Sequence, residues 1–264
     1  MDALTALRLQ IEWGADEALE AEPVDRLRSP TVRPPSLSSA SPARPAPSPA
    51  RSAHVAGRET PVERAARAAA AANTLNDLRL AIADFDGSAL RDTATNLLFV
   101  EGDPADGLLL VGEAPNADAD RSGTLFSGGV GAYLELMLRS IGLGRDAVCL
   151  APLIPWRPPG DRPPSPTEIA TYLPFLHRMV AIIMPQRIVA LGPLPARALL
   201  GAMPIRRRAV SVWQNATIPS IAAPIATLAM SSPAILLRVP SQRRQAWADL
   251  RLLHHSLNNS LTQK

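Results

Sequence analysis

Short runs of β-forming residues bounded by Gly, Pro or Asp recur along the chain, at 107–111, 147–150, 187–191 and 225–229. Apolar runs of that length between turn formers read as buried strands. Between them the apolar spacing becomes helical, at 130–141, 166–184 and 193–200, and a last helix is predicted over 240–257. Ahead of the first strand, 61–72 is an Ala-rich helix with Pro in its first turn, and Thr74 caps a second helix that runs through Phe85. Strand and helix alternate. That order predicts a three-layer α/β/α domain over 61–264 with a four-stranded parallel sheet, and a ligand site beyond the carboxyl ends of the strands.

The pattern is different towards the N-terminus. Leu4, Leu7, Leu9, Ile11 and Leu19 are loosely helical, which predicts a short helix over 1–21. Residues 22–60 turn to Pro, Ser, Ala and Arg, and such a stretch buries too little apolar area to offset its ordering entropy. It reads as a disordered linker.

Composition narrows the chemistry. Hydrophobic residues make up 47% of the 264 residues but aromatic ones only 4%, so the interior is expected to be built from Ala, Leu, Ile and Val. The single cysteine, Cys149, sits in an apolar run and reads as a small buried hydrophobe, which leaves neither a disulfide nor a thiolate cage. The first residues mix acids and Trp13 with apolar positions, unlike a signal peptide, and no apolar run approaches the ~18 residues of a membrane span. A cytoplasmic monomer with no membrane contact is the expectation. Net charge is +3, but from Gly201 to Arg251 seven arginines, Arg206, Arg207, Arg208, Arg238, Arg243, Arg244 and Arg251, face one acid, Asp249, which makes the C-terminal third basic. That basic third is either a solvated face or a phosphate-binding surface.

Candidate chemistry gathers after the first strand. Gly112, Glu113, Ala114, Pro115 and Asn116 form a strand-to-loop turn carrying a carboxylate; Gly123 and Phe126 follow, and Gly128-Gly-Val-Gly131 opens a helix. A flat ligand could stack on Phe126 while backbone amides meet its carbonyl edge. A plain connecting loop is the alternative, with Glu113 bonded to nearby amides and Phe126 anchored in the core. Trp213 and Trp247 read as core residues, Trp247 sharing an apolar face with Leu250 and Leu253. His177, His254 and His255 lack a metal-ligand spacing.

The turn Gly112-Glu-Ala-Pro115, with Gly123, Phe126 and Gly128, resembles the first signature of the uracil-DNA glycosylase superfamily, closest to its iron-sulphur class (family 4). The likeness continues through Arg157-Pro-Pro-Gly-Asp-Arg-Pro163, through 185–192, and through Pro233-Ala-Ile-Leu-Leu-Arg238 with Trp247 and Asp249. The resemblance implies DNA carrying an extruded, damaged base as the partner, single- or double-stranded. It also implies Glu113 as the catalytic residue that orients a water, and Gly112, Ala114, Asn116 and Phe126 as the base-binding set. Arg157, Ser232, Arg238, Arg243 and Arg244 are the candidates for backbone contact, although Arg157 could instead pair with Asp161. Where the class places cluster cysteines this chain has Phe85, Ser88, Trp156 and Tyr172, so neither a metal nor a cofactor is expected. Two further departures concern the reaction. Pro152 occupies the place of the uracil-reading Asn, and Ser232 that of the signature His. The resemblance therefore leaves two functions open, a diverged glycosylase and a catalytically inactive DNA-binding or protein-interaction module that kept the fold.

Overall fold

The computed structural model describes residues 59–103, 107–201 and 211–261, with side chains to residue 258. All of them belong to the second of two compact units, Val55–Lys264. The expected N-terminal helix, the linker up to residue 58, and Arg206, Arg207 and Arg208 lie outside the described residues.

The described chain begins with helix α1 (Pro61–Ala71), α2 (Leu75–Asp84) and the single turn α3 (Leu90–Thr93). Thr60 and Thr74 each close a capping box, with Glu63 and Asp77 three residues on, so both helices start where a hydroxyl satisfies otherwise orphaned amides. Strand β1 (Leu108–Gly112) is followed by α4 (Ala117–Ser122), α5 (Gly128–Arg139) and a 3-10 turn at Arg145–Ala147. Next come β2 (Cys149–Pro152), a 3-10 turn at Pro159–Asp161, α6 (Pro166–Ile183), β3 (Arg187–Leu191) and α7 (Pro193–Leu200). The chain ends with β4 (Trp213–Ala216), β5 (Ile225–Met230), α8 (Pro233–Arg238), a 3-10 turn at Pro240–Gln242 and α9 (Arg243–Leu261).

Among the described residues these strands form one sheet in the order β2-β1-β3-β5-β4. The four expected strands pair in parallel, with Gly112 opposite Pro152 and Val111 opposite Ala190. The sheet has one strand more than the pattern predicted. β4 pairs antiparallel with β5 at the edge, Trp213 opposite Leu228. Its sequence, Trp-Gln-Asn-Ala, carries two polar side chains and is only partly buried, so pairing with β5 rather than a hydrophobic run makes it a strand.

Strand residues alternate between two core layers, as a pleated sheet covered on both faces requires. Leu109, Val111, Cys149, Ala151, Ile188 and Ala190 face α1, α2 and α6. Leu108, Leu110, Leu150, Val189, Leu191 and Leu228 face α5 and α9. Each fully buried Leu contributes roughly 1.5–3 kcal/mol by leaving water, which fixes the register: slipping a strand by one residue would exchange the layers. Among the described residues, no helix is long and apolar enough to cross a membrane.

One expected core residue lies elsewhere. Trp247 is 48% exposed, whereas Ala246, Leu250 and Leu253 are buried. Successive helix residues turn by about 100°, so Trp247 sits six residues and about 120° away from Leu253, at the margin of the buried stripe. Trp213 is partly buried and packs on the second core layer.

Candidate active site

Four parallel strands deliver their carboxyl ends to one cleft. Gly112 ends β1, Pro152 ends β2, Leu191 ends β3, and Ser232 follows β5; all four line it, together with Glu113, Ala114, Pro115, Asn116, Phe126 and Val130. The cleft encloses about 520 Å³, solvent at its mouth included. The expected catalytic and base-binding residues are thus brought together, and the place is the one that a doubly covered parallel sheet provides.

The turn after β1 is fixed by backbone bonds. Leu153 N–H donates to the carbonyls of Gly112 (2.8 Å) and Glu113 (3.1 Å), tying the loop to the end of β2. Asn116 then caps α4, its Oδ1 accepting from Ala119 N–H at 3.0 Å. Because the oxygen is engaged there, the amide nitrogen is the donor this side chain has left to offer the cleft.

Glu113 is half-buried, and burial pushes its carboxyl above the ordinary glutamate range, against the pull of the Leu194 backbone amide and the Arg238 charge. It rests against Gly192, where a Cβ would stand 2.7 Å from Oε1, so a side chain at Gly192 would displace the carboxylate. The carboxylate therefore meets the first turn of α7. Glu113 is thus engaged by a loop amide and still lines the cleft.

Phe126 stands opposite. Its ring covers Gly112 so closely that a Cβ there would lie 2.5 Å from the ring tip. Its backbone is left-handed, at φ 51°, a conformation that costs a non-glycine residue about 1–3 kcal/mol and persists only where surroundings impose it. The imposing groups come from two distant segments. Glu101 accepts from Leu125 N–H, Arg145 donates to Leu125 C=O, and Arg145 reaches Phe126 C=O at 3.5 Å. Sequence reasoning missed both residues, since no local motif marks partners so far from Phe126 in the chain.

The basic residues divide. Arg157 donates from Nε to Asp161 at 2.7 Å, and its Nη1 lies 3.9 Å from Asp120, which is itself buried and accepts from Thr95 and Asn96 N–H. Arg157 thus braces the turn after β2 between two carboxylates, the pairing that competed with phosphate contact. Arg162 forms a two-pronged bond to Glu168 and completes that brace; the guanidinium holds the Glu168 carboxyl down at about 2. Arg238 ends α8 and is exposed, with its charge felt at Glu113. Arg243 is exposed over the Tyr133 ring and donates to Leu236 C=O, and Arg244 beside it is exposed. Ser232 is buried and caps α8 by accepting from Ile235 N–H at 3.3 Å.

The residues at the expected cysteine positions meet in the core between α2 and α6. Phe85 packs edge-on against Tyr172 at 6.1 Å and against Phe175 at 5.2 Å, and Trp156 joins the same cluster. Burial pushes the Tyr172 phenol above its ordinary range, with the Ser88 hydroxyl pulling the other way; among the described residues, neither that phenol nor Trp156 Nε1 has a partner at hydrogen-bond geometry. Three aromatic rings and a hydroxyl offer no thiolate, and Cys149 is buried in β2. This donor set does not fit an iron-sulphur cluster.

Comparison with known proteins agrees with this geometry. The model of the uracil DNA glycosylase superfamily matches residues 99–251, from ahead of β1 into α9. Type-4 uracil-DNA glycosylases are similar over parts of the chain: that of Pyrobaculum aerophilum is 35% identical over 129 residues, 49% of this chain and 66% of its own length. That of Sulfurisphaera tokodaii is 41% identical over 99 residues, 37% of this chain and 45% of its own length. That of Archaeoglobus fulgidus is 30% identical over 164 residues, 61% of this chain and 82% of its own length. The chain thus spans less than two thirds of the first two relatives and most of the third.

Proposed function

The chain belongs to the uracil DNA glycosylase superfamily, and we propose that it hydrolyses the N-glycosidic bond of a damaged base extruded from DNA, without an iron-sulphur cluster. The observation that carries this reading is the convergence of Glu113, Asn116 and Phe126 on one cleft at the carboxyl ends of the parallel strands. Phe126 stacks on the extruded base, and the Asn116 amide donates to a base carbonyl. Glu113 holds a water against the sugar C1′ and takes its proton as the bond to the base breaks. The electron pair of that bond leaves with the base, whose developing negative charge the cleft has to stabilise.

That last requirement makes the reaction slow. Pro152 offers no donor where the class reads uracil, and Ser232 offers a neutral hydroxyl where the class has an imidazole. Loss of one preorganised donor commonly costs about 100- to 1000-fold in rate. Arg238, Arg243 and Arg244 supply the phosphate contacts, and the bracing of Arg157 by Asp120 and Asp161 makes it a support for the loop instead.

The same two substitutions favour a second reading, recognition of the extruded base without cleavage. Release of free base from uracil-containing oligonucleotides separates the two. Slow release that Glu113→Gln abolishes supports hydrolysis; tight, base-dependent binding with no release supports recognition alone.

A further inference from the structure

We infer that Glu101 and Arg145 form a positioning clamp that holds the Phe126 ring in its stacking place. The inference rests on the base-stacking reading proposed above. It starts from an anomaly: Phe126 keeps a left-handed backbone, at φ 51°, in a loop joining two helices. Such a conformation relaxes unless neighbouring groups forbid it.

The groups that forbid it are anchored to the sheet. Glu101 exchanges two backbone hydrogen bonds with Leu150 of β2, at 3.0 and 2.7 Å, so its position is set by the strand. Its carboxylate is divided between two tasks. One oxygen accepts from Leu125 N–H, and the other pairs with Arg145 at 2.8 Å. Arg145 in turn donates to the carbonyls of Leu125 and Phe126. The donors and acceptors of the Leu125 backbone, together with the Phe126 carbonyl, are thus taken by one ion pair. About a quarter of each side chain is exposed, so the pair is sheltered from the screening that weakens surface pairs. The consequence falls on the ring. With the backbone fixed on both sides of the Leu125–Phe126 peptide, the ring is held over Gly112, and the glycine leaves the space it needs.

Neither Glu101 nor Arg145 is among the residues lining the cleft, so both act through Phe126. The test compares the affinity for a single-stranded oligonucleotide carrying one 2′-fluorinated deoxyuridine, whose glycosidic bond resists hydrolysis, with that for the same oligonucleotide carrying an abasic site. Stacking needs a base, so this ratio reports Phe126, whereas a general loss of fold or charge shifts both affinities alike. Base-aromatic stacking is worth about 5- to 150-fold in affinity. Phe126→Ala is expected to lower the ratio by that factor. Arg145→Met is expected to lower it comparably with abasic affinity unchanged, and to lower it no further when Phe126→Ala is already present. Arg145→Lys, which keeps the pair but not the fork, is expected to fall between. Glu101→Gln keeps the acceptor for Leu125 N–H and guards against failure of Arg145→Met to fold; it too is expected to reduce the ratio. If Phe126→Ala lowers the ratio while Arg145→Met and Glu101→Gln leave it at the wild-type value, the clamp is overturned and stacking stands. If Phe126→Ala leaves the ratio unchanged, the stacking reading falls and the clamp falls with it.

Discussion

Replacing Gly112 by Ala isolates the contact between the end of β1 and the Phe126 ring. The backbone of Gly112 does not occupy the left-handed region, so an alanine there strains nothing by itself. Its methyl, however, would stand 2.5 Å from the ring tip and 3.2 Å from the two adjoining ring atoms, where ordinary contact begins at 3.4 Å. The ring must therefore retreat by about 1 Å, and a misplacement of that size typically costs about 100-fold in rate. Overpacking costs about 1–3 kcal/mol, offset by about 0.4–1 kcal/mol because alanine restricts the unfolded chain. A net loss of about 1–2 kcal/mol lowers the melting temperature by roughly 2–8 °C for a domain of this size. The assay is steady-state base release with a parallel thermal melt, each repeated with Phe126→Ala already in place. With the ring gone, the three atoms nearest to the methyl are removed, and Gly112→Ala should cost no further activity. An unchanged rate and melting temperature would refute the contact; a full loss of rate in the ringless background would refute its route through Phe126.

Other substitutions probe the remaining parts of the site. Because burial raises the Glu113 carboxyl, base release should fall on acidification at a pH above the ordinary glutamate value of 4.5. Arg238→Met removes a charge that lowers this pKa and should move the acid limb further upward; a limb that stays in place would show that Arg238 is not felt there. Ser232→His restores an imidazole donor to the leaving base and should raise the rate by up to about 100-fold, while loss of the α8 cap costs about 1 kcal/mol in the same melt. Glu168→Ala breaks both the Arg162 fork and the Ser165 capping box, and should destabilise by about 1–2 kcal/mol at neutral pH. Its folded-state pKa of about 2 lies below the ordinary value, so its contribution is present above pH 4.5 and lost as pH falls towards 2. The deficit of the variant should therefore close in acid.

The parallel strands and most helices were legible because each is written locally. Leu108 to Val111 and Ile188 to Leu191 are unbroken apolar runs, and Pro61 and Thr74 announce helix starts within one turn. β4 was not legible, since an edge strand with Gln214 and Asn215 is made by its partner's backbone. Trp247 was misplaced because three apolar residues at near-helical spacing look like one stripe until their angles are counted. In the site, Glu113, Asn116 and Phe126 lie in one contiguous segment and could be found together. Glu101 and Arg145 could not, because they meet at Leu125 from 24 and 20 residues away and carry no signature of their own. The brace on Arg157 was half visible: Asp161 is four residues on, whereas Asp120 arrives from α4.

The most direct test of the central claim is the release of free base from a single-stranded oligonucleotide bearing one uracil, hypoxanthine or xanthine, by the protein and by Glu113→Gln. The account predicts slow release from at least one of these by the wild-type protein, none by the variant, and DNA affinity retained in both. Release at an unchanged rate by Glu113→Gln would contradict the role of Glu113, and no release by the wild-type protein from any of the three would contradict hydrolysis itself.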